Sequence, residues 1–132
     1  MGAREHRFLR RMRVVLARDF ARAFREGSRA RGELVTVVVV PNELEHTRLG
    51  LSIGKRVWKR AVRRNRVRRV FREAFRLSYG ELPRGVDVVI VGSQPRIEPR
   101  LEDAQRELVR LVPKALRRWR ERRGGASAEG GP

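Results

Sequence analysis

The side chains best placed to do chemistry in this sequence are arginines. Arg63-Arg64-Asn65-Arg66 is followed at once by Arg68, Arg69 and Arg72. A guanidinium is a flat fork of donors that grips phosphate oxygens in pairs and can stack on a base. Asn65 has modest helix propensity, and a hydrogen bond to a sugar or phosphate accounts for it between two arginines. Other chemistries lack their residues. With no Cys in the chain, thiolate metal sites, disulfides and Cys nucleophiles are excluded together. His6 and His46 read as surface residues, and Glu102-Asp103, the adjacent acidic pair, suits the first turn of a helix. Gly50-Leu51-Ser52-Ile53-Gly54 has the spacing of a nucleophile elbow, but it falls in a strand pattern without triad partners. The polypeptide therefore offers no catalytic residue and no metal-ligand set.

Charge distribution sharpens this. The 132 residues carry a net charge of +18, with 33 Lys and Arg against 15 Asp and Glu. Residues 55–76 hold eleven Lys or Arg and one acid, and residues 1–31 hold ten Arg and three acids, whereas 32–54 are slightly acidic. Charge concentrated in this way marks a surface built for phosphates. The length fits one domain, and 40% hydrophobic residues suffice for a core. No run approaches the ~18 apolar residues of a membrane span, and the N-terminus lacks the apolar core of a signal peptide. The expectation is a soluble, cytoplasmic polyanion binder with no membrane association and no obligate protein partner.

The elements that must position these arginines follow from periodicity. Leu16, Phe20, Ala23 and Phe24 repeat as one helical face, with Gly27 placed to end it. Residues 34–40 form a nearly continuous β-branched run closed by Pro41-Asn42, and 48–53 alternate as a second strand. The short connection predicts that these two pair antiparallel, with Gly50 marking a bulge. Val67, Val70, Phe71, Ala74, Phe75 and Ser78 give the basic segment an apolar face. At ~100° per residue, Arg66, Arg69 and Arg76 point away from Phe71, Asn65 and Arg72 lie at the side, and Arg64 and Arg68 border the apolar face. Val86 and 88–91 read as a buried strand. The stripe Leu101, Ala104, Leu108, Leu111, Val112, Ala115 and Trp119 reads as a last helix, with Pro99 at its first position and Pro113 kinking or shortening it. The result is an α+β fold, a small two-layer sandwich.

On residues alone, two specific kinds of polyanion binder come into view. A ribosomal structural protein is equally small and basic. A DNA regulator is disfavoured because a strand, not a helix-turn, precedes the basic helix.

The stretch from Ala61 to Arg76, with its Arg64-Asn65-Arg66 and Arg72-Glu73-Ala74-Phe75, resembles the signature of the bacterial ribonuclease P protein subunit. Three further stretches match in order: 19–27 resembles the family's first helix, Gly50-Leu51-Ser52-Ile53-Gly54-Lys55-Arg56 its strand end, and 82–90 its last strand. The resemblance covers roughly residues 8–116. It implies an αβββαβα order with a basic crossover helix, like the second domain of ribosomal protein S5. It also implies binding to a catalytic RNA that, with Mg²⁺ held mainly by RNA and substrate, removes the 5′ leader of precursor tRNA. Carried over, Arg64, Asn65, Arg66, Arg68, Arg69 and Arg72 become catalytic-RNA contacts. Phe20, Phe24, Ser52, Lys55 and Arg56 become a cleft for the single-stranded leader. Val38 stands where many family members carry an aromatic. The expected organisation is a basic arm at 1–15, a single RNA-binding domain at 16–119 and a disordered tail at 120–132.

Overall fold

A computed structural model describes residues 10–14, 16–54, 60–92 and 98–130 of the chain. Its elements are α1 (Ala17–Glu26), β1 (Ser28–Arg31), β2 (Val35–Pro41), β3 (Arg48–Ser52), α2 (Ala61–Ser78), β4 (Val86–Gly92) and α3 (Leu101–Gly130), with 3-10 turns at Arg10–Met12 and Tyr79–Glu81. This is the αβββαβα order of an α+β sandwich.

The four strands lie in the order β1-β2-β4-β3. The valine runs explain why β2 and β4 are central. Val37 and Val39, with Val88 and Ile90, face the main core beneath α2 and α3. Val38 and Val40, with Val89, face the opposite side, where Ala23 and Phe20 of α1 cover them. A strand buried on both faces needs apolar side chains at successive positions, and β4 is such a strand. It therefore separates β2 from β3, so the expected antiparallel β2–β3 pair does not form. β2 pairs antiparallel with β4, and β3 runs parallel to β4 from Arg48↔Asp87 to Ser52↔Val91. The β3–β4 register is unbroken, so Gly50 is not a bulge. Its lack of a side chain makes room for α1: a Cβ there would lie 2.9 Å from the Phe20 ring.

The ends of the helices also differ from the sequence pattern. Gly27 follows α1 in an extended conformation (φ −74°, ψ 163°), its N–H donating to the Ala23 carbonyl at 2.8 Å. A Cβ at Gly27 would come within 2.8 Å of Val38 Cγ1, so glycine serves the close turn into β1 rather than a left-handed cap. Pro99 precedes the first position of α3, where Glu102 and Asp103 occupy the first turn. The helix runs on through Pro113, which forgoes one ladder hydrogen bond.

Two boundaries shift. Residues 10–14 belong to the fold: Met12 and Val14 are buried, and Val14 N–H donates to the Leu49 carbonyl at 2.9 Å beside a parallel bridge from Arg13 to Leu49. The arm expected at 1–15 thus docks at its C-terminal end. The tail expected from 120 is a continuation of α3, whose backbone is helical to Gly130.

Candidate nucleic-acid interface

α2 presents its arginines in two directions. Val67, Phe71, Ala74, Phe75 and Ser78 are buried, which fixes the rotation of the helix and turns Arg66 and Arg69 to solvent. Arg76, expected beside them, instead pairs with Glu73 one turn back. The N-terminus of α2 has no side-chain cap and no acid in its first turn. The positive dipole end of the helix therefore reinforces Arg63 and Arg64. Glu98 lies 3.8 Å from Arg63. Asn65 is exposed, and its Oδ1 accepts from Arg68 Nη1 at 2.9 Å while Arg68 Nη2 donates to the Ile53 carbonyl at 3.2 Å. Asn65 thus holds Arg68 at the end of β3, a role its spacing in the sequence did not reveal.

Arg68 and Arg72 turn towards the sheet. Together with Arg13, Val14, Phe20, Leu49 and Leu51 they line a cleft of about 290 Å³ between α1, the β3 edge and α2. Three guanidinium groups and one aromatic ring thus converge on one concavity. Burial, then the charges of Arg13 and Arg68, push the Arg72 pKa below the usual arginine value. Like charges so gathered are relieved by a bound phosphate.

The opposite balance anchors α1. Asp87 of β4 is 1% exposed and accepts two hydrogen bonds from its register partner Arg48, from Nε at 2.7 Å and Nη2 at 2.6 Å. Asn42 Nδ2 donates to the same carboxylate at 2.9 Å, and Arg48 Nη1 lies 3.6 Å from Asp19 of α1. The hydrogen bond to Asp87, opposed by burial and supported by the charges of Asp87 and Asp19, raises the Arg48 pKa. Asp19 thereby ties α1 to the sheet beside Phe20.

Phe24 is not in this cleft. It is 37% exposed, lies beneath Arg29 with the guanidinium carbon 5.7 Å from its ring centre, and lines a different groove. Ser52 is half-buried on the same face of β3 as Gly50, beyond the Phe20 ring. Arg64 is half-buried but does not line the cleft. Lys55 and Arg56 lie outside the described residues. Among the described residues no three His, Asp or Glu side chains gather where they could hold a metal ion, and no helix is long and apolar enough to cross a membrane.

A basic helix that packs on a four-stranded sheet and shares a cleft with α1 has close counterparts. The family model described as Ribonuclease P matches residues 8–116. The chain belongs to the ribonuclease P protein family. It is 42% identical over 84 residues to the Ribonuclease P protein component of Thermotoga petrophila, covering 64% of this chain and 71% of that one. Two solved structures share its fold. The ribonuclease P protein of Staphylococcus aureus aligns with a TM-score of 0.65 at 26% identity, over 80% of this chain and 93% of that one. That of Thermotoga maritima aligns with a TM-score of 0.64 at 30% identity, over 74% and 96%.

Among the residues that line the cleft, the sequence pattern did not single out Arg13 and Val14. Their signal was the alternation of buried Met12 and Val14 around a basic residue, a strand-like period within a segment that reads as an arm. Val38, in place of an aromatic, is fully buried beneath α1 and takes no part in either concavity.

Proposed function

We propose that this chain is the protein subunit of a ribonuclease P ribonucleoprotein that removes the 5′ leader from precursor tRNA. In this reading the outward side of α2, with Arg64, Asn65, Arg66 and Arg69, contacts the catalytic RNA. The cleft lined by Phe20, Arg13, Arg68 and Arg72 takes the single-stranded leader, one base stacking on Phe20 while phosphates lie against the guanidinium groups. Ser52 and, by resemblance, Lys55 and Arg56 border the path. The protein supplies no acid, base or nucleophile to the cleavage; Mg²⁺ is held mainly by the RNA partner and substrate, in the cytoplasm.

The observation that carries this reading is that α2 presents exposed Arg66 and Arg69 on one side and Arg68 and Arg72 in a cleft with an aromatic on another. A protein that only coats a ribosome or a duplex has no need of the second surface. Reconstitution tests it. Protein alone should leave precursor tRNA intact, and adding it to its RNA partner should lower the Mg²⁺ needed for cleavage. Cleavage without RNA that survives stringent repurification would overturn the division of labour. Co-sedimentation with ribosomal subunits, with normal precursor tRNA maturation after depletion, would favour a ribosomal role instead.

A further inference from the structure

His46 reads from the sequence as a surface residue, yet the structure gives its ring a partner beside the cleft. Nε2 donates to the Arg11 carbonyl at 2.9 Å. Arg11 lies two residues before Arg13, which lines the cleft with Arg68 and Arg72. One residue beyond Arg13, Val14 N–H donates to the Leu49 carbonyl at 2.9 Å. Met12 and Val14 are buried, and Arg13 between them is exposed. Arg13 is thus held between two anchors, the backbone of β3 on one side and the His46 ring on the other.

The turn that carries His46 is itself firmly built. Asn42 is buried, its Oδ1 accepts from Leu44 N–H at 2.8 Å, and its Nδ2 donates to the His46 carbonyl at 3.1 Å. This closure accommodates Glu43 at φ 60°, a left-handed conformation unfavourable for a residue with a Cβ. On the other side Thr47 N–H donates to Tyr79 Oη at 3.0 Å, and Thr47 Oγ1 to the Pro83 carbonyl at 2.6 Å. Asn42 Nδ2 also donates to Asp87, the carboxylate that grips Arg48, and Arg48 reaches Asp19 of α1. One buried carboxylate therefore ties both walls of the cleft. Through Arg48 it holds the wall that bears Phe20, and through Asn42 and His46 the wall that bears Arg13. A segment already in place when a ligand arrives spares the binding step the entropy of ordering it.

We propose that His46 is a positioning residue for substrate binding, which holds Arg13 against the cleft through the Arg11 carbonyl and so sets the grip on a leader phosphate. The proposal rests on the reading of the cleft as the leader site. In this role the ring acts through Arg13 and makes no contact with RNA of its own.

Two variants separate the hydrogen bond from the packing of the ring. His46→Phe keeps a flat ring without a donor, and His46→Gln keeps an N–H donor at similar reach. In the full chain, hydrogen exchange at the Val14 amide should accelerate about three- to tenfold in H46F, the loss expected of one hydrogen bond, and return close to wild type in H46Q. In the holoenzyme reconstituted with its RNA, H46F should bind leader-bearing precursor tRNA about three- to tenfold more weakly and leaderless tRNA as the wild type does. H46Q should recover most of that loss. The decisive readout is the combination with Arg13→Ala: once Arg13 is gone, H46F should add no further loss. A residue that merely stabilises the fold would instead give additive losses, a lower melting temperature and equal weakening of both substrates. That outcome overturns the proposal and leaves the cleft reading standing, as does full leader binding by H46F. If the wild type itself binds leader-bearing and leaderless substrates alike, the leader reading of the cleft fails and the proposal falls with it.

Discussion

Arg48 and Asp87 face each other across the parallel β3–β4 ladder and are joined by two hydrogen bonds, with Asp87 almost completely buried. Arg48 also reaches Asp19, so one guanidinium joins an edge strand, the central strand and α1. The wall of the cleft that carries Phe20 is held in place by this arginine.

Removing one partner of such a pair leaves a buried charge uncompensated. Arg48→Met should destabilise the fold by about 3 kcal/mol and lower the melting temperature by roughly 10 °C. A second change, Asp87→Leu, should recover much of that loss, because the stranded carboxylate is then gone. Thermal denaturation of both single variants and the double variant measures the coupling. Additive losses would mean that the pair does not work as a unit.

The outward ridge predicts a salt signature. If Arg66 and Arg69 each neutralise a phosphate of the catalytic RNA, replacing either with Ala should reduce the slope of log K against log[salt] by about 0.7–0.9. Stability should barely change, since both side chains are exposed. Titrations at several salt concentrations decide this, and an unchanged slope removes that arginine from the contact surface.

The rotation of α2 was legible in the sequence because its buried face follows from local spacing alone: Val67, Phe71, Ala74 and Phe75 sit on one side whatever they pack against. The same geometry correctly turned Arg66 and Arg69 outward and Arg68 inward. It failed where the answer depends on remote partners. Phe20 and Phe24 share a helix face by spacing, yet the sheet beneath changes from Gly50 of β3 to the start of β1 within one turn, so the two rings enter different concavities. β1 itself, Ser28-Arg29-Ala30-Arg31, has no β-branched or aromatic residue and forms a strand because β2 offers it a pairing edge. The insertion of β4 between β2 and β3 is likewise a non-local outcome, set by which strand has two apolar faces to bury.

Arg72 couples stability to binding with opposite signs. Its lowered pKa means that the folded protein holds the charged form less favourably than the unfolded chain does. Between the lowered value and the ordinary arginine value the unfolded chain binds more protons, so stability rises with pH only in that strongly alkaline window. Near neutrality the repulsion is fully present and independent of pH. Arg72→Gln should therefore hold or slightly raise the melting temperature of the free protein, by up to about 1 kcal/mol of stability, while weakening leader-bearing substrates. Added phosphate should stabilise the wild type more than the variant. A variant that melts lower and responds equally to phosphate would place Arg72 among the structural arginines.

Glu107 of α3 shows where an acid in this basic chain is structural. Its carboxylate is buried and accepts from the backbone N–H groups of Glu33 at 2.7 Å, Leu34 at 3.2 Å and Val35 at 3.3 Å, closing the turn between β1 and β2. Glu107→Ala strands several N–H groups at once and should destabilise the fold by about 1–3 kcal/mol. Glu107→Gln keeps an acceptor oxygen but loses the charge, and should cost about half as much. The damage should be local: hydrogen exchange ought to accelerate in residues 28–39, where β1 pairs with β2, before it does in β4. Uniform acceleration across the sheet would show instead that the turn is not a separable unit and that Glu107 supports the whole packing of α3.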